Sequence, residues 1–170
     1  DVYKRQDLGG VDEIKRKFFG TLYNTYSFFA LYANIDKFTY EEKEIKFNER
    51  PELDRWILSE LNSLINNVDE FYNDYEPTKA ARAINNFVID NLSNWYVRLS
   101  RRRFWKGEYE KDKISAFQTL YEVLIDISKL SAPISPFFMD RLYIDLTKNI
   151  SKDYSESCLL YTSDAADDSL

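Results

Sequence analysis

Apolar side chains recur at steps of three and four along most of this 170-residue sequence, and this spacing constrains the fold more than any other feature. Between Pro77 and about Phe104 the steps are four, four, three and four, at Ile84, Val88, Leu92, Trp95 and Leu99. Such steps place side chains on one face of an α-helix, whereas a half-buried strand needs alternation at every second residue. No alternating run stands out, so the sequence predicts an all-α fold.

Four further stretches have the same helical spacing. The predicted helices cover residues 11–33, 51–72, 112–132 and 135–146. Pro51 and Pro136 suit the first turn of a helix, and Asp112 and Ser135 are predicted N-caps. The connections are short, apart from a charged stretch at 34–48 that we predict to be solvated. We therefore expect an antiparallel bundle of about five helices.

Composition excludes several kinds of chemistry. The chain has no histidine, which rules out a histidine base, a Ser-His or Cys-His pair and a His-ligated zinc ion. Its one cysteine, Cys158, can form neither an internal disulfide nor a four-cysteine metal site, which favours a cytoplasmic setting. The four glycines form no common phosphate-binding loop, and no stretch approaches the roughly 20 apolar residues of a membrane span. We expect no catalytic residue, metal or cofactor in this chain.

The two ends of the chain differ in pattern from the rest. Residues 1–6 and 158–170 lack the periodicity of their neighbours and resemble translated vector or adapter sequence. We therefore predict a non-native leader, a single helical domain at 7–157 and a non-native tail, with the domain cut from a longer protein. The whole chain carries −6, of which the leader contributes +1 and the tail −3, so the predicted domain carries −4.

One segment reverses the sign of this charge. Residues 91–107 read NLSNWYVRLSRRRFWKG and contain five basic residues and no acidic one. The segment therefore carries +5, while the rest of the chain, with 18 basic and 29 acidic residues, carries −11. Clustered arginines with interleaved aromatic residues suit nucleic acid, because cations neutralise phosphates and rings stack on bases. In the alternative interpretation, the arginines pair with acidic residues of neighbouring helices.

A helical wheel at about 100° per residue places most of these side chains on one face. With Asn94 at zero, a polar and basic face between about −20° and 80° comprises Arg101, Asn94, Trp105, Arg98, Asn91 and Arg102. Val88, Leu92 and Leu99 fall at about 120° to 160°, which predicts the core face. Trp95, at about 100°, lies on the border between the two faces, and Arg103, at about 180°, is predicted to face the bundle or a neighbouring domain.

Longer strings make the sequence similar to a known family. They are KRKFFGTLYNTYSFFALYANID at 15–36, ELDRWILSELNSL at 52–64, NLSNWYVRLSRRRFW at 91–105 and DKISAFQTLYEVLIDISKLSAPISPFF at 112–138. In this order, and without a large gap across 7–157, they resemble the anticodon-binding helical domain of class Ia aminoacyl-tRNA synthetases. Within that family, NWYVR followed by SRRRFW is most similar to the isoleucyl members.

The resemblance implies a parent enzyme that attaches isoleucine to its tRNA with ATP and Mg²⁺ and edits mischarged valine in a separate domain. This chain would be the recognition module only, inactive by itself and without a cofactor. Its partners would be the anticodon stem-loop of the tRNA and the catalytic domain of the parent chain.

Roles for individual residues also follow from the resemblance. Trp95 would stack on an anticodon base, Asn24 on the first helix would read a base edge, and arginines would hold phosphates. The predicted tRNA-binding residues are Asn24, Asn91, Asn94, Trp95, Arg98, Arg101, Arg102 and Trp105.

Two alternatives stay open at this point. The same domain could come from a valyl or leucyl enzyme, or the chain could be a structural bundle that docks another protein domain through the surface between Trp95 and Trp105. A docking bundle would have no RNA affinity that depends on salt, whereas phosphate contacts weaken steeply as salt rises.

Overall fold

The computed structural model describes residues 8–106, 108–148, 150 and 155–159, and this part of the chain is mostly helical. Its α-helical segments are α1 (Leu8–Ile14), α2 (Gly20–Asp36), α3 (Glu52–Asn73), α4 (Pro77–Asn86), α5 (Arg98–Trp105), α6 (Lys111–Ser131) and α7 (Pro136–Thr147). Two π-helical segments, Lys15–Phe19 and Phe87–Val97, join α1 to α2 and α4 to α5, and a 3-10 turn at Phe47–Glu49 precedes α3. No strand occurs among the described residues.

These segments form five continuous helical rods, because each π segment continues its α-helical neighbours without a turn. We call residues 8–36 the α1–α2 rod and residues 77–105 the α4–α5 rod. Consecutive rods are antiparallel, as predicted. The α1–α2 and α4–α5 rods pack side by side and run parallel, since Phe18 and Ile84 line one cavity near their starts and Phe28 contacts Arg101 near their ends. The predicted all-α antiparallel bundle is confirmed.

Aromatic rings hold the rods together in the core. Phe117 on α6 packs edge-on against Phe104 of α5, with ring centroids 5.1 Å apart, and stacks on Phe38 at the same separation. Phe29 of α2 contacts Phe117 and Tyr121. Such pairs contribute about 0.5–1.5 kcal/mol each beyond the area that they bury. They fix α2, α5 and α6 relative to one another.

The prediction of a solvated stretch at 34–48 is only partly right, because most of its charged side chains are exposed while three other side chains pack against the bundle. Phe38, Tyr40 and Ile45 are buried. Arg50 is buried too, and its guanidinium donates to both carboxylate oxygens of Glu122, at 2.7 and 2.8 Å, and to the Ile45 carbonyl at 2.9 Å. A charge can be buried when it is paired and hydrogen-bonded in this way. The sequence around Arg50 does not reveal this pairing, because Glu122 is distant along the chain.

Two helix starts differ in detail from the prediction. Glu110 takes the N-cap position of α6, so the prediction that Asp112 caps this helix is wrong. Asp112 lies in the first turn instead and accepts a hydrogen bond from Arg103 at 3.0 Å. Ser135 does precede α7, but its hydroxyl makes no capping bond and points to the Ser131 carbonyl at 3.5 Å.

The most deeply buried side chains of the α4–α5 rod recur at every fourth residue rather than at mixed steps of three and four. None of them is more than 1% exposed: Ala80, Ile84, Val88, Leu92, Tyr96, Ser100 and Phe104. In a regular α-helix a step of four overshoots a full turn by about 40°, so such a line would wind around the helix. The π segment Phe87–Val97 has more residues per turn, which reduces this drift and keeps the line facing the core.

This winding overturns one predicted core position. Leu99, which the helical wheel placed on the core face, is 55% exposed, while Tyr96 takes the buried place. Trp95, predicted at the border, is 60% exposed. The prediction failed because the wheel assumed a constant 3.6 residues per turn through a segment that winds differently.

The last described residues, 155–159, pack against α7. Cys158 is buried, and its backbone N–H donates to a carboxylate oxygen of Asp140 at 3.2 Å. The predicted leader at 1–6 and the rest of the predicted tail at 160–170 lie outside the described residues. The division into leader, domain and tail therefore stays a prediction.

The packing of Cys158 can be checked by its reactivity. Burial, together with the nearby Asp140 carboxylate, raises the pKa of the Cys158 thiol to about 11. The thiolate fraction at pH 8 is then about 0.1%, against about 25% for an ordinary thiol with a pKa of about 8.5. We expect a maleimide to modify Cys158 about 200-fold more slowly in native buffer than in denaturant at pH 8. Equal rates in the two conditions would contradict this packing.

Candidate nucleic-acid interface

The step of four gives the α4–α5 rod four distinct sides between Asn86 and Trp105. One side is the buried core line described above. The opposite side, which we call the outward line, consists of exposed residues: Asn86, Asp90, Asn94, Arg98 and Arg102. Between them lie the α2 flank, with Val97, Arg101 and Trp105, and the α3 flank, with Asn91, Trp95, Leu99 and Arg103. Contacts with α2 and α3 identify these flanks.

The outward line changes charge along its length. Asp90 makes its early part acidic, whereas Arg98 and Arg102 make its later part basic. Neither arginine forms an ion pair with another described residue, so the alternative interpretation of paired arginines does not apply to them. A free guanidinium presents a fork of N–H donors that matches the oxygens of a phosphate. The surface therefore favours phosphate from Asn94 onward and disfavours it near Asp90.

The α3 flank carries an exposed apolar strip. Trp95 and Leu99 lie one turn apart and are both more than half exposed. Asn91, one turn earlier, is half-buried, and its amide donates to Glu60 of α3 at 3.1 Å. The side chain of Asn91 is thus engaged within the bundle, while Trp95 presents its ring to solvent.

The α2 flank combines cations with aromatic rings. The Arg101 guanidinium carbon lies 5.9 Å from the centre of the Phe28 ring, and the Lys106 ammonium lies 5.4 Å from that of Trp105. Trp105 is 53% exposed. These distances are within the range of cation–π attraction, which holds both charges at the surface beside the rings.

Asn24 is exposed on α2, one turn before Phe28. Because α2 and the α4–α5 rod run parallel, one turn back from the Phe28–Arg101 contact places Asn24 at the level of Val97, beside Asn94 and Arg98. From this geometry we expect Asn24 on the same face as Asn94, Arg98 and Arg102. Trp95 and Asn91 lie apart from these residues, on the α3 flank.

Arg103 turns inward, as predicted. Its guanidinium donates to both carboxylate oxygens of Asp54, at 2.6 and 2.8 Å. Asp54 is fully buried and also accepts hydrogen bonds from the Tyr96 hydroxyl at 2.9 Å and the Ser115 hydroxyl at 2.6 Å. Burial raises the pKa of Tyr96 well above its usual value, and the Asp54 carboxylate adds to this shift.

This network joins three helices beneath the exposed arginines. Asp54 belongs to α3, Arg103 to α5 and Ser115 to α6, so the end of α5 is anchored on both of its neighbours. Sequence reasoning missed Asp54, because an acidic residue in the first turn of a helix is ordinarily explained by the helix dipole. The only signal was that Arg103 fell opposite the other arginines on the helical wheel.

The described residues contain no group of three or more His, Cys, Asp or Glu side chains that could hold a metal ion. A groove of about 520 Å³ lies at the other end of the rods, but its lining is mostly apolar and includes one basic residue, Arg82. None of the described helices combines the length and the apolar character that crossing a membrane requires.

The fold and the surface together define a class of protein. It is an all-α bundle in which an exposed basic surface, the later part of the outward line, is flanked by aromatic side chains. Surfaces that contact unpaired RNA have this composition. Residues 54–166 match the family described as the anticodon-binding domain of tRNA ligase. The chain belongs to this family.

Several bacterial isoleucine–tRNA ligases are similar to this chain. That of Bacteroides thetaiotaomicron is 65% identical over 147 residues, which cover 86% of this chain and 13% of the relative. That of Porphyromonas gingivalis is 65% identical over 155 residues, or 91% of this chain and 13% of the relative. That of Clostridium tetani is 48% identical over 147 residues, or 86% and 14%. These matches confirm the resemblance seen in the sequence, and the chain spans only 13–14% of the length of these relatives.

Proposed function

We propose that this domain recognises the anticodon stem-loop of isoleucine tRNA as part of an isoleucine–tRNA ligase. The observation that carries the proposal is the outward line, on which Arg98 and Arg102 are exposed and form no ion pair with a described residue, between the exposed Trp95 and Trp105. Membership of the anticodon-binding family supports tRNA as the partner, and the similarity to isoleucine–tRNA ligases supports the choice of amino acid.

The geometry suits a single-stranded loop better than a duplex. Bases in the anticodon loop are unstacked, so aromatic side chains can stack on them and amides can reach their edges. Trp95 and Trp105 would provide the stacking, which contributes roughly 1–3 kcal/mol per base. Asn24 and Asn94 would offer amides to base edges, while Arg98 and Arg102 hold the phosphates that position the loop.

Aminoacylation would take place outside this chain. In this proposal the catalytic domain of the parent protein uses ATP and Mg²⁺, packs against the bundle, and acts in the cytoplasm. The length of the relatives supports this arrangement, because this chain covers about an eighth of them. The absence of histidine from the chain agrees with a domain that recognises a substrate rather than transforms one.

A competition assay tests the choice of tRNA. Fluorescently labelled isoleucine tRNA is bound to the 170-residue chain and displaced by unlabelled isoleucine, valine or leucine tRNA at a fixed, moderate salt concentration. Isoleucine tRNA is expected to compete at about a tenfold lower concentration than the other two, since one hydrogen-bonded base edge contributes of the order of 1 kcal/mol or more. Stronger competition by valine or leucine tRNA would assign the domain to one of those enzymes.

The exposed strip of Trp95 and Leu99 also favours a second candidate, a bundle that docks another protein domain. The two candidates differ in their response to salt, because counterion release makes phosphate binding weaken steeply as salt rises. If the chain had no measurable affinity for any of the three tRNAs at low salt, the docking function would replace the one proposed here.

A further inference from the structure

The groove of about 520 Å³ has no part in the function described so far. It is lined by residues near the starts of the α1–α2 and α4–α5 rods and by residues between α6 and α7. Phe18, Phe19 and Ile84 supply apolar walls, while Ile14 and Ile134 in the same lining are exposed. Mostly apolar cavities of about 300–1,000 Å³ with a few polar groups are typical of small-molecule sites. The groove has this size and this character.

One polar side chain in the lining lacks a hydrogen-bond partner. Ser131, the last residue of α6, is 2% exposed, and its hydroxyl oxygen forms no hydrogen bond with a described residue. A buried hydroxyl without a partner destabilises the free protein, and a ligand that accepts the hydroxyl proton removes this cost. Ser131 therefore indicates a ligand that carries a hydrogen-bond acceptor.

The electrostatics of the groove favour a negatively charged acceptor. Arg82 of α4 is exposed in the lining and forms no ion pair with a described residue. Ser135, at the start of α7, also lines the groove. No side chain caps α7 and its first turn holds no acidic residue, so nothing in this turn offsets the positive end of the helix dipole. None of the described residues in the lining is acidic.

Two acidic residues near these helix starts are already paired. Glu13 of α1 lines a neighbouring cavity and forms an ion pair with Lys17. Glu76, which precedes α4, forms an ion pair with Lys79 at 3.3 Å. Neither carboxylate lines the groove, so the guanidinium of Arg82 remains available to an anionic ligand.

We propose that the groove binds a small amphipathic carboxylate, a molecule with an apolar body and one negatively charged end. The apolar walls hold the body, while Arg82, the Ser131 hydroxyl and the start of α7 receive the carboxylate. An amino acid fits less well, because the lining provides no acidic partner for its ammonium group. A protein segment also fits less well, since standard interfaces involve about 20–30 residues on each side and only eleven described residues line the groove. The site is independent of the anticodon function.

Isothermal titration calorimetry with octanoate tests the site in the 170-residue chain. Octanoate is ionised at neutral pH, whereas octan-1-ol and octylammonium have the same apolar body with a neutral or a positive end. We expect octanoate to bind with a dissociation constant on the order of 0.1–1 mM, and the other two compounds to bind at least about fivefold more weakly. Isoleucine, which carries an ammonium group, should also bind more weakly than octanoate.

Substitutions in the lining locate the carboxylate. Arg82→Gln should weaken octanoate binding about fivefold and leave that of octan-1-ol unchanged. Arg55→Gln is the matched control, because Arg55 on α3 is also exposed and forms no ion pair with a described residue but does not line the groove. Ser131→Ala should weaken octanoate binding about 2- to 10-fold, yet leave the urea midpoint of the free protein unchanged or higher, because its hydroxyl has no partner there. Ala81→Leu fills part of the groove and should abolish binding, with circular dichroism verifying the fold.

Several results would overturn the carboxylate site, whatever the outcome with tRNA. Equal affinity for octanoate, octan-1-ol and octylammonium would show an apolar surface without preference for an anion, as expected of a contact with another protein segment. Equal losses in Arg82→Gln and Arg55→Gln would attribute the effect to net charge. Octanoate binding that survived Ala81→Leu would place the ligand outside the groove, and the absence of any binding heat at several times the expected dissociation constant would show that there is no such site.

Discussion

Replacing Arg98 and Arg102 with glutamate is expected to weaken binding of the isoleucine tRNA stem-loop by more than about 25-fold at 0.1 M salt. Each phosphate contact on a single strand contributes about 0.7 to the slope of log affinity against log salt concentration. Losing two contacts therefore removes about 1.4 from the slope and about 1.4 log units of affinity at 0.1 M, and the new carboxylates add repulsion. Fluorescence anisotropy at several salt concentrations measures both quantities.

A matched variant controls for net charge. Lys15→Glu with Arg16→Glu makes the same change of charge in the first π segment, at the other end of the rods, where both side chains are exposed. This variant should keep the salt slope of the parent chain. If the two double variants lost affinity equally, the effect would come from overall charge, and the outward line would not be the phosphate site.

Asp54→Ala is expected to lower the free energy of unfolding by about 3–5 kcal/mol, a large part of the roughly 5–15 kcal/mol that stabilises a typical domain. The substitution leaves the Arg103 guanidinium without its buried partner and deprives the hydroxyls of Tyr96 and Ser115 of their acceptor. Removal of one member of a buried pair costs this much because the remaining charge stays desolvated. Urea denaturation followed by circular dichroism measures the loss.

Two further variants distinguish the buried network from an ordinary ion pair. Asp112→Asn removes the other carboxylate that contacts Arg103, but its side chain is mostly exposed, so we expect a cost of only about 0–1 kcal/mol. Asp54→Ala combined with Arg103→Leu leaves no buried charge unpaired and should recover part of the stability lost in Asp54→Ala. Equal costs for Asp54→Ala and Asp112→Asn would show that Asp54 does not anchor α5.

Most of the fold was predictable because helix boundaries depend on local signals. Prolines at helix starts and regular apolar spacing located all five rods to within a few residues. The connection at 34–48 was predicted less well, because the burial of Phe38 depends on Phe117 of α6, which is distant in sequence, and the burial of the adjoining Arg50 depends on Glu122 of the same helix. A charged residue looks solvated until its partner is known.

The candidate site was predictable in composition but not in arrangement. The cluster of arginines in the sequence located the basic part of the outward line, and the inward direction of Arg103 followed from simple helical geometry. The wheel failed for Leu99, since nothing in the local sequence announced the π segment before it.

Deeply buried side chains recur at every fourth residue of the α4–α5 rod. The direction in which the outward line points therefore depends on the number of residues in the rod as well as on their types. Deleting one residue from the π segment Phe87–Val97 would remove no arginine, yet it would rotate everything after the deletion by about 100° relative to the buried line before it. The guanidinium groups of Arg98 and Arg102 would then point along a flank, and Arg103 would no longer face Asp54. An insertion or deletion in this segment would therefore reorient the whole exposed surface of α5, even though every side chain on that surface stayed the same.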